Sequence, residues 1–455
     1  MATLDASARL ERLPFRGFIF KLVLVISLGG FFELYDLFLT TYIVPTLLKE
    51  GIYSLKTPGI MDMNAVASFV AALFLGMFVG AGLLGRLPDK FGRKAVFTYA
   101  LVGYSACTLI MAFQTEAVWI NFWRFLAAVG IGLEQVTIVT YTSELVASRF
   151  RGRAIALTQT ISFIAMPVVA LVSWLLIPTS FLGLEGWRWV VILGAMGAVF
   201  IWVARRSLPE SPIWLESKGL HERASAVLDQ IEARVIAGGQ AIATAAPARQ
   251  ARPVAVAGSR WSAIFGKDIR GRVIMMVIVN ICITVGYYGF ASWVPTLLVS
   301  KGIATVKSLE YSVLMALAAP LAPLLSMLVA DRLERKYQVM LSCAACALLG
   351  LAFSAQNAPA IVIAIGFLLT LNNGWMSSCY HTYQAELFPA AVRAQAVGFV
   401  YSWSRFSAVF CSYIISYLLG QYGNAGVFTF ITGSMLLIVV TLFLFGPKTN
   451  KLLAT

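Results

Sequence analysis

The strongest constraint on this chain is a series of apolar segments that recurs along almost its whole length. A helix needs about 20 apolar residues to cross the hydrocarbon core of a bilayer, so each segment predicts one transmembrane helix. Only 12% of the residues are Asp, Glu, Lys or Arg, about half the fraction in a typical soluble domain, which excludes a water-soluble globular protein. Twelve helices are predicted, at 18–42, 62–87, 95–114, 118–142, 153–178, 188–204, 272–298, 310–330, 338–355, 359–384, 394–420 and 424–446.

Basic residues set the predicted orientation of these helices. The formal net charge is +14, which in a soluble protein would favour a nucleic-acid partner. Here the lysines and arginines cluster in the loops that follow the even-numbered helices, and the positive-inside rule places such loops in the cytoplasm. The first apolar segment has no cleavage site after it, so it predicts an uncleaved helix. We therefore expect a multi-pass protein of the lipid bilayer, with both termini cytoplasmic and no nucleic-acid partner.

One long polar stretch divides the chain. Residues 205–271 are rich in basic residues and lie between predicted helices 6 and 7. This predicts an N-terminal half at 1–204, a cytoplasmic linker at 205–271 and a C-terminal half at 272–455. Helical spacing at 213–235 predicts a surface helix, and the Ala- and Pro-rich stretch 241–258 predicts a flexible linker. With two histidines and six cysteines in the chain, all six cysteines in apolar segments, we predict no metal site and no cofactor other than a coupling proton.

The two halves repeat each other at an offset of 242 residues. The matching pairs are Asp89 and Asp331, Arg93 and Arg335, Tyr141 and Tyr383, Glu144 and Glu386, and Arg151 and Arg393. The segment Val-Pro-Thr-Leu-Leu at 44–48 also recurs at 294–298. A duplicated six-helix unit predicts two halves with a site between them near the membrane midplane, which is how alternating-access transporters are built.

Several motifs resemble known families. Gly85 to Lys94 reads GRLPDKFGRK and resembles the G-x-x-x-D-R-x-G-R-K loop of the major facilitator superfamily. Leu208 to Leu215, LPESPIWL, resembles the sugar porters and their organic-ion relatives. Glu33 to Asp36 is similar to the D-x-x-D of bacterial aromatic-acid proton symporters, with Glu in place of the first Asp. The resemblance implies an all-α fold of twelve transmembrane helices in two pseudo-symmetric halves, transport rather than enzymatic activity, and a monomer in the bacterial inner membrane.

The loop motif also predicts a gate on the cytoplasmic side. Its acids and bases can form contacts that hold the inner gate shut and break when the halves move. The simpler alternative is that the basic loops only set orientation, but orientation would not require acids at matching positions in both halves. The predicted gating residues are Asp89, Arg93, Glu144 and Arg151, with Asp331, Arg335, Glu386 and Arg393 as the second copy.

Charged residues inside apolar segments are the candidates for proton coupling. Glu33, Asp36, Arg124 and Glu134 each lie well within a predicted helix, where a charge costs about 2.5–3.5 kcal/mol. Helices 1 and 4 are neighbours in the resembled fold, so we expect Asp36 to pair with Arg124. In sugar porters such a pair couples transport to a proton; the alternative is a static buried ion pair.

Arg405 is the candidate for substrate binding. It lies about 18 Å along predicted helix 11 from Arg393, which is close to the midplane. Its segment resembles the helix 11 arginine of organic-anion transporters, and a guanidinium suits a carboxylate. The alternative is that Arg405 pairs with an acid of helix 1 or helix 4. The other residues predicted to line the substrate cavity are Tyr35, Gln159, Asn280, Tyr287, Tyr288, Asn372, Asn373 and Trp375.

Together these features predict a proton-coupled symporter of a small organic anion, a monocarboxylate or an aromatic acid. A sugar or polyol proton symporter is the alternative, favoured by Leu208 to Ser211 and disfavoured by Arg405. A membrane receptor or an intramembrane enzyme belongs to a different class, and neither a signalling domain nor a catalytic motif of common hydrolases supports it.

Overall fold

The computed structural model describes residues 5–55, 62–204, 208–243, 265–329, 333–389 and 392–449, without the side chains of 198–204, 267–268, 327–329 and 393–394. The apolar segments of the first half form helices. They are α1 (Ala6–Leu10), α2 (Gly17–Lys49), α3 (Val66–Phe78), α4 (Leu87–Phe91), α5 (Arg93–Met111), α6 (Ala117–Leu145), α7 (Arg151–Phe163), α8 (Ala165–Leu176) and α9 (Gly186–Ala204). A π-helical turn (Val79–Leu83) follows α3, a 3-10 turn (Ser148–Phe150) precedes α7, and a short hairpin of β1 (Ser180–Phe181) and β2 (Leu184–Glu185) precedes α9.

Two short helices, α10 (Pro212–Ser217) and α11 (His221–Ala237), lead towards the second half. The remaining helices are α12 (Lys267–Ala291), α13 (Val294–Ser300), α14 (Thr305–Ala316), α15 (Leu321–Val329), α16 (Arg335–Ala355), α17 (Pro359–Glu386) and α18 (Arg393–Phe445).

The helices account for twelve membrane crossings. Ten helices or helix pairs in the described ranges are long and apolar enough to span a bilayer. The last of them covers 51 residues, about 75 Å at 1.5 Å per residue, which is more than twice the thickness of the hydrocarbon core. It is interrupted at Gly423, whose φ of +61° is a conformation that favours glycine. It therefore makes two crossings, and with the 19-residue α9 the predicted twelve-helix fold is confirmed.

Proline and glycine cause the main departures from the predicted helix bounds. The seventh membrane crossing (span 7) is broken between α12 and α13, just before Pro295. The eighth (span 8) is broken between α14 and α15, at Pro320. Proline lacks the N–H group that a continuous helix needs. The predicted surface helix at 213–235 is wrong as a single element, because Gly219 adopts a φ of +74° and separates α10 from α11. Most of the predicted flexible linker lies outside the described residues.

Close packing of α3 on α6 depends on glycine. A Cβ atom on Gly132 would lie 2.4 Å from the carbonyl oxygen of Met77, and one on Gly80 would lie 2.1 Å from the carbonyl oxygen of Val129. No side chain fits at such a distance from backbone, so these glycines let the two helices approach. This brings the acidic and basic residues of α6 close to the middle of the protein.

The two halves meet through helices from both. In the described part of the chain, α3 packs along α18, α8 packs against α14, and α2 packs against α13. These contacts enclose the middle of the protein between α2, α6 and α8 on one side and α12, α14, α17 and α18 on the other.

One end of the protein carries a layer of charged contacts. We call this end the basic face; it is formed by α4, the 3-10 turn Ser148–Phe150, α10, α11 and the start of α16. Arg9 of α1 forms ion pairs with Asp229 at 2.6 Å and with Glu232 at 2.8 Å, which fix α1 on α11. The hydrogen bond to Glu232 raises the pKa of Arg9, although partial burial opposes it. The N-terminal segment is therefore held against the connecting helices.

Candidate functional site

Arg405 lies between the two halves and is held by neutral oxygen atoms. It is 3% exposed on α18. Its Nη1 donates to the hydroxyl of Tyr288 at 2.6 Å, and its Nη2 donates to Gln135 Oε1 at 2.7 Å and to the hydroxyl of Tyr401 at 2.8 Å. The rings of Tyr288 and Tyr401 also lie beside the guanidinium, at 5.6 and 5.3 Å from its carbon. The positive charge is thus fixed by aromatic rings and hydroxyls.

No ion pair neutralises Arg405 within the part of the chain that the structure describes. Glu33 of α2 is near enough to interact with Arg405 electrostatically, but the two side chains form no ion pair. The Gln135 amide accepts a hydrogen bond from Arg405 and also lies near Glu33. The predicted alternative, direct pairing of Arg405 with an acid of helix 1 or helix 4, is therefore absent in this conformation.

Glu33 and Glu134 form a buried acidic pair next to this arginine. Glu33 is 4% exposed and Glu134 is fully buried, and each acts on the other electrostatically. Neither oxygen of Glu134 has a hydrogen-bond partner, and Oε1 of Glu33 has none either, among the described residues. Glu134 lies against Gly29, where a Cβ would be 3.0 Å from its Oε1. Both oxygens of Glu134 and one oxygen of Glu33 therefore lack, within the described ranges, the hydrogen-bond partners that a charged state requires.

Asp36 makes the predicted contact with Arg124. Their closest oxygen–nitrogen distance is 3.2 Å, and Arg124 is fully buried. Arg124 Nη2 also donates to the backbone oxygen of Asp36 at 2.6 Å, and the Thr108 hydroxyl donates to both carboxyl oxygens at 3.2 Å. The carboxyl of Asp36 is therefore satisfied by two side chains, those of Arg124 and Thr108.

A cavity lies between the halves, and aromatic and small side chains dominate its walls. Two of the predicted substrate residues line it, Tyr287 of α12 and Asn373 of α17. Asn373 is 3% exposed, and its Nδ2 has no hydrogen-bond partner in the described ranges. The other lining residues are Tyr42, Phe163, Met166, Phe290, Ala291, Val294, Ser312, Met315, Ala316, Ala319, Thr370 and Gly374. Arg405 is not among them; the Tyr287 and Tyr288 rings, 4.9 Å apart, connect it to this cavity.

Gln159 belongs to the same surface of the first half. It is exposed, and it precedes Phe163 and Met166 by four and seven residues along α7 and α8, so all three share one helix face. Because Phe163 and Met166 line the cavity, Gln159 lies on the face that leads into it.

Two predicted substrate residues of α17 point elsewhere. Asn372 donates to the backbone oxygen of Ser342 on α16 at 2.9 Å. Trp375 follows Asn372 by three residues and packs on the same side, next to Cys379, which contacts Gln338 of α16. Adjacent residues on a helix are about 100° apart, so Asn372 and Asn373 cannot face the same cavity. In this structure Asn372 and Trp375 lie towards α16 and do not line the described cavity, and their substrate role stays a prediction.

Tyr35 and Asn280 are also outside the cavity. The hydroxyl of Tyr35 donates to the backbone oxygen of Val190 on α9 at 3.2 Å, within the first half. Asn280 is fully buried, donates to Gln384 at 2.8 Å and accepts a hydrogen bond from Tyr380, so it joins α12 to α17. Each of these polar groups satisfies a partner in its own half, which explains its place inside an apolar helix.

The first copy of the predicted gate is partly assembled. Arg93 contacts Glu144 through two nitrogens, at 3.0 and 2.9 Å, and Asp89 at 2.8 Å. Arg151 does not take its predicted place, because Arg93 occupies Glu144 and Arg151 Nε donates to the backbone oxygen of Val146 at 3.4 Å. The motif also predicts that Asp89 meets the N-terminal end of a helix in the other half. The side chain of Asp89 is 71% exposed, and no such contact is seen among the described residues.

The second copy repeats one of these pairs. Arg335 and Glu386 approach to 3.6 Å. Asp331 and the side chain of Arg393 lie outside the described residues. In the first half Glu210 also accepts from the backbone nitrogens of Arg93 and Lys94, at 2.9 and 3.1 Å, and so caps α5.

The sequence alone did not identify Gln135, Tyr401 or His381 as residues of the site. Gln135 is adjacent to Glu134, but it carries no charge and so lacks the high cost that marks a charged residue inside an apolar helix. His381 is exposed and lies four residues after Ser377, to which its ring nitrogen hydrogen-bonds at 2.6 Å. Its ring is 5.5 Å from that of Tyr401. The spacing from Asn373 to Ser377 to His381 is the signal that predicts one common face of α17.

Comparison with known proteins agrees with this architecture. YyaJ of Bacillus subtilis is 32% identical over 98% of this chain and 96% of its own length. The niacin transporter NiaP of Acinetobacter baylyi is 29% identical over 98% of both chains. Among solved structures, the partially occluded, inward-open xylose transporter XylE of Escherichia coli superposes with a TM-score of 0.74 at 20% identity, covering 95% of this chain and 99% of XylE.

The family and the relatives are those of a transporter and not of an enzyme. The model of the sugar (and other) transporter family matches residues 22–453. The chain is therefore a multi-pass membrane transporter that belongs to the sugar (and other) transporter family.

Proposed function

We propose that the protein carries a small organic anion, an aromatic or other monocarboxylate, together with protons by alternating access. The observation that carries this proposal is the state of Arg405: a buried guanidinium between the two halves, bound by three neutral oxygens and by no acid among the described residues. Such a cation attracts an anion strongly, because little water is present to screen it. A carboxylate matches two of its N–H groups at once.

The neighbouring cavity supports a ring-bearing substrate. It lies between the two halves and is lined mainly by apolar and aromatic side chains with a few polar groups, as sites for small molecules usually are. Tyr42, Phe163, Tyr287 and Phe290 offer aromatic surface, and Asn373 offers an unpaired amide donor. One relative is named as a transporter of niacin. Niacin has an aromatic ring that suits the aromatic walls and a carboxylate that can accept from the amide.

Buried acids support the coupling to protons. Glu33, Asp36 and Glu134 are buried within spans, while Arg124 and Arg405 are the buried bases near them. Asp36 forms an ion pair with Arg124, whereas Glu33 and Glu134, which lie near each other, form no ion pair among the described residues. A proton on either acid removes a charge that is costly in this setting. The structural neighbour described as a D-xylose-proton symporter is also proton-coupled.

A sugar or polyol symporter is the second candidate. Hydrogen-bonding groups without charge, Ser312, Thr370 and Asn373, line the cavity, and XylE shares the fold. Arg405 distinguishes the two candidates, because a neutral sugar does not need a cation.

Uptake by proteoliposomes tests the proposal. The interior is made alkaline, and initial rates are measured for nicotinate, benzoate, nicotinamide and xylose, with protein-free liposomes giving the passive entry of each compound. We expect protein-dependent uptake of the two carboxylates that falls when the pH gradient is collapsed. Preferential uptake of xylose, or equal uptake of nicotinate and nicotinamide, would contradict an anion site.

The proposal also places the protein in the bacterial inner membrane as a monomer, with the basic face towards the cytoplasm. Cysteine labelling of intact cells tests the orientation. A cysteine introduced at Lys218 between α10 and α11 should react only with a membrane-permeant reagent, and reaction with an impermeant one would reverse the assignment.

A further inference from the structure

Gln135 connects a base of one half to an acid of the other. It lies on α6, and its Oε1 accepts a hydrogen bond of 2.7 Å from Arg405 on α18, 270 residues away in sequence. The same amide interacts with the carboxyl of Glu33 on α2. An amide has an acceptor at one end and two donors at the other, so one side chain can serve a cation and a carboxylate together.

We propose that Gln135 is a placeholder for the carboxylate of the substrate. In the empty carrier its Oε1 occupies an acceptor position at Arg405 Nη2. When an anion arrives, its carboxylate takes that position and displaces the amide. This deepens the proposed function and rests on it, since the displaced contact matters only if Arg405 binds an anion.

The choice of residue type follows from the chemistry of the site. A neutral amide holds a guanidinium less strongly than a carboxylate does, because a carboxylate adds charge–charge attraction and can accept from two N–H groups of the guanidinium at once. An anionic substrate can therefore displace glutamine. A glutamate at this position would form an ion pair of its own with Arg405 and compete with the substrate, whereas an aliphatic residue would offer no competition.

The partners of Arg405 that remain after displacement keep it in place. Tyr288 binds Nη1 and Tyr401 binds Nη2, and both rings flank the guanidinium. Gln135 is thus the one partner of the described three that belongs to the opposite half. Its release on substrate binding removes a hydrogen bond between the halves near the midplane, which links occupancy of the site to their relative movement.

Binding of labelled nicotinate to purified variants tests this role. Gln135→Glu should weaken nicotinate binding by about 10-fold to 100-fold, since it introduces a competing carboxylate at a charge-assisted contact. Gln135→Leu should tighten it, by up to about tenfold, because it removes the competing acceptor. Gln135→Asn keeps the amide but shortens the side chain, so it should behave like Gln135→Leu. Gln114→Glu adds the same charge at the end of α5, away from the site, and serves as the matched control.

Opposite shifts for the Glu and Leu variants are the signature that a purely structural role would not produce. If Gln135→Glu does not fold, the Asn and Leu variants decide alone, because a structural role predicts weaker binding for both. Weaker or unchanged binding in Gln135→Leu and Gln135→Asn overturns the proposal. If wild-type protein itself binds no carboxylate but does bind xylose, the proposed function has failed and not merely the role of Gln135.

Discussion

Replacing Arg405 gives the sharpest prediction about substrate charge. A carboxylate bound to both terminal nitrogens of the guanidinium gains two charge-assisted hydrogen bonds, each worth about 1.5–3 kcal/mol. Arg405→Lys keeps the positive charge but loses the two-pronged geometry and one of these bonds. Nicotinate binding should therefore weaken by about 10-fold to 150-fold in Arg405→Lys. In Arg405→Ala both bonds and the charge are lost, and the loss should exceed about 100-fold.

The assay is equilibrium binding of labelled nicotinate to the purified transporter, with nicotinamide as the neutral ligand. Arg272→Lys is the control, because Arg272 donates at 2.9 Å to the backbone oxygen of Leu387 at the basic face and lies outside the cavity. Nicotinate affinity in Arg405→Ala within about threefold of wild type would refute the reasoning. If Arg405 only neutralises Glu33, the double variant Arg405→Ala with Glu33→Gln should recover nicotinate binding and thermal stability. We expect no such recovery of binding.

Three further predictions concern coupling, gating and packing. Asp36→Asn should still exchange labelled for unlabelled nicotinate but lose the response of uptake to a pH gradient, because the amide mimics only the protonated acid; a retained response would exclude Asp36 as a coupling group. Asp89→Asn should slow transport without changing substrate preference. Glu144→Gln should lower thermal stability more than Asp89→Asn does, since the side chain of Asp89 is 71% exposed whereas that of Glu144 is 13% exposed. Equal losses of stability would argue against a buried gate contact. Gly132→Val should destabilise the protein by about 1–3 kcal/mol through overpacking, measured as a shift of the thermal unfolding midpoint. The control is Gly103→Ala, where the added Cβ meets nothing within 4 Å. An equal shift in both variants would contradict the packing account.

The fold was predictable because its signals are long and repeated. Twelve apolar segments, basic loops after alternate helices and an internal offset of 242 residues all point to one architecture. The break at Gly423 falls between predicted helices 11 and 12. By contrast, the breaks in spans 7 and 8 depend on how Pro295 and Pro320 are packed, and proline in a membrane helix is compatible with a kink, a break or a continuous helix. Pro45 of the first half remains inside the unbroken α2.

The candidate site was predictable only in part, because depth in the membrane does not specify the direction of a side chain. Charged residues were found since they are costly in an apolar span, and the contact of Asp36 with Arg124 is present. Neutral polar residues at the same depth serve two purposes that sequence composition does not separate. Asn373 faces the cavity, whereas Asn280 joins two helices of one half. Gln135 carries no charge and was therefore not distinguished from such packing residues.

Simultaneous measurement of proton and nicotinate movement tests the central claim most directly. Proteoliposomes that contain a pH-sensitive dye are given an inward gradient of labelled nicotinate with the membrane potential clamped, and protein-free liposomes give the passive background. The account predicts protein-dependent proton entry in a fixed ratio to nicotinate, none with nicotinamide, and nicotinate entry without protons in Glu33→Gln. Protein-dependent nicotinate uptake in the wild type without any proton entry would contradict proton-coupled anion transport.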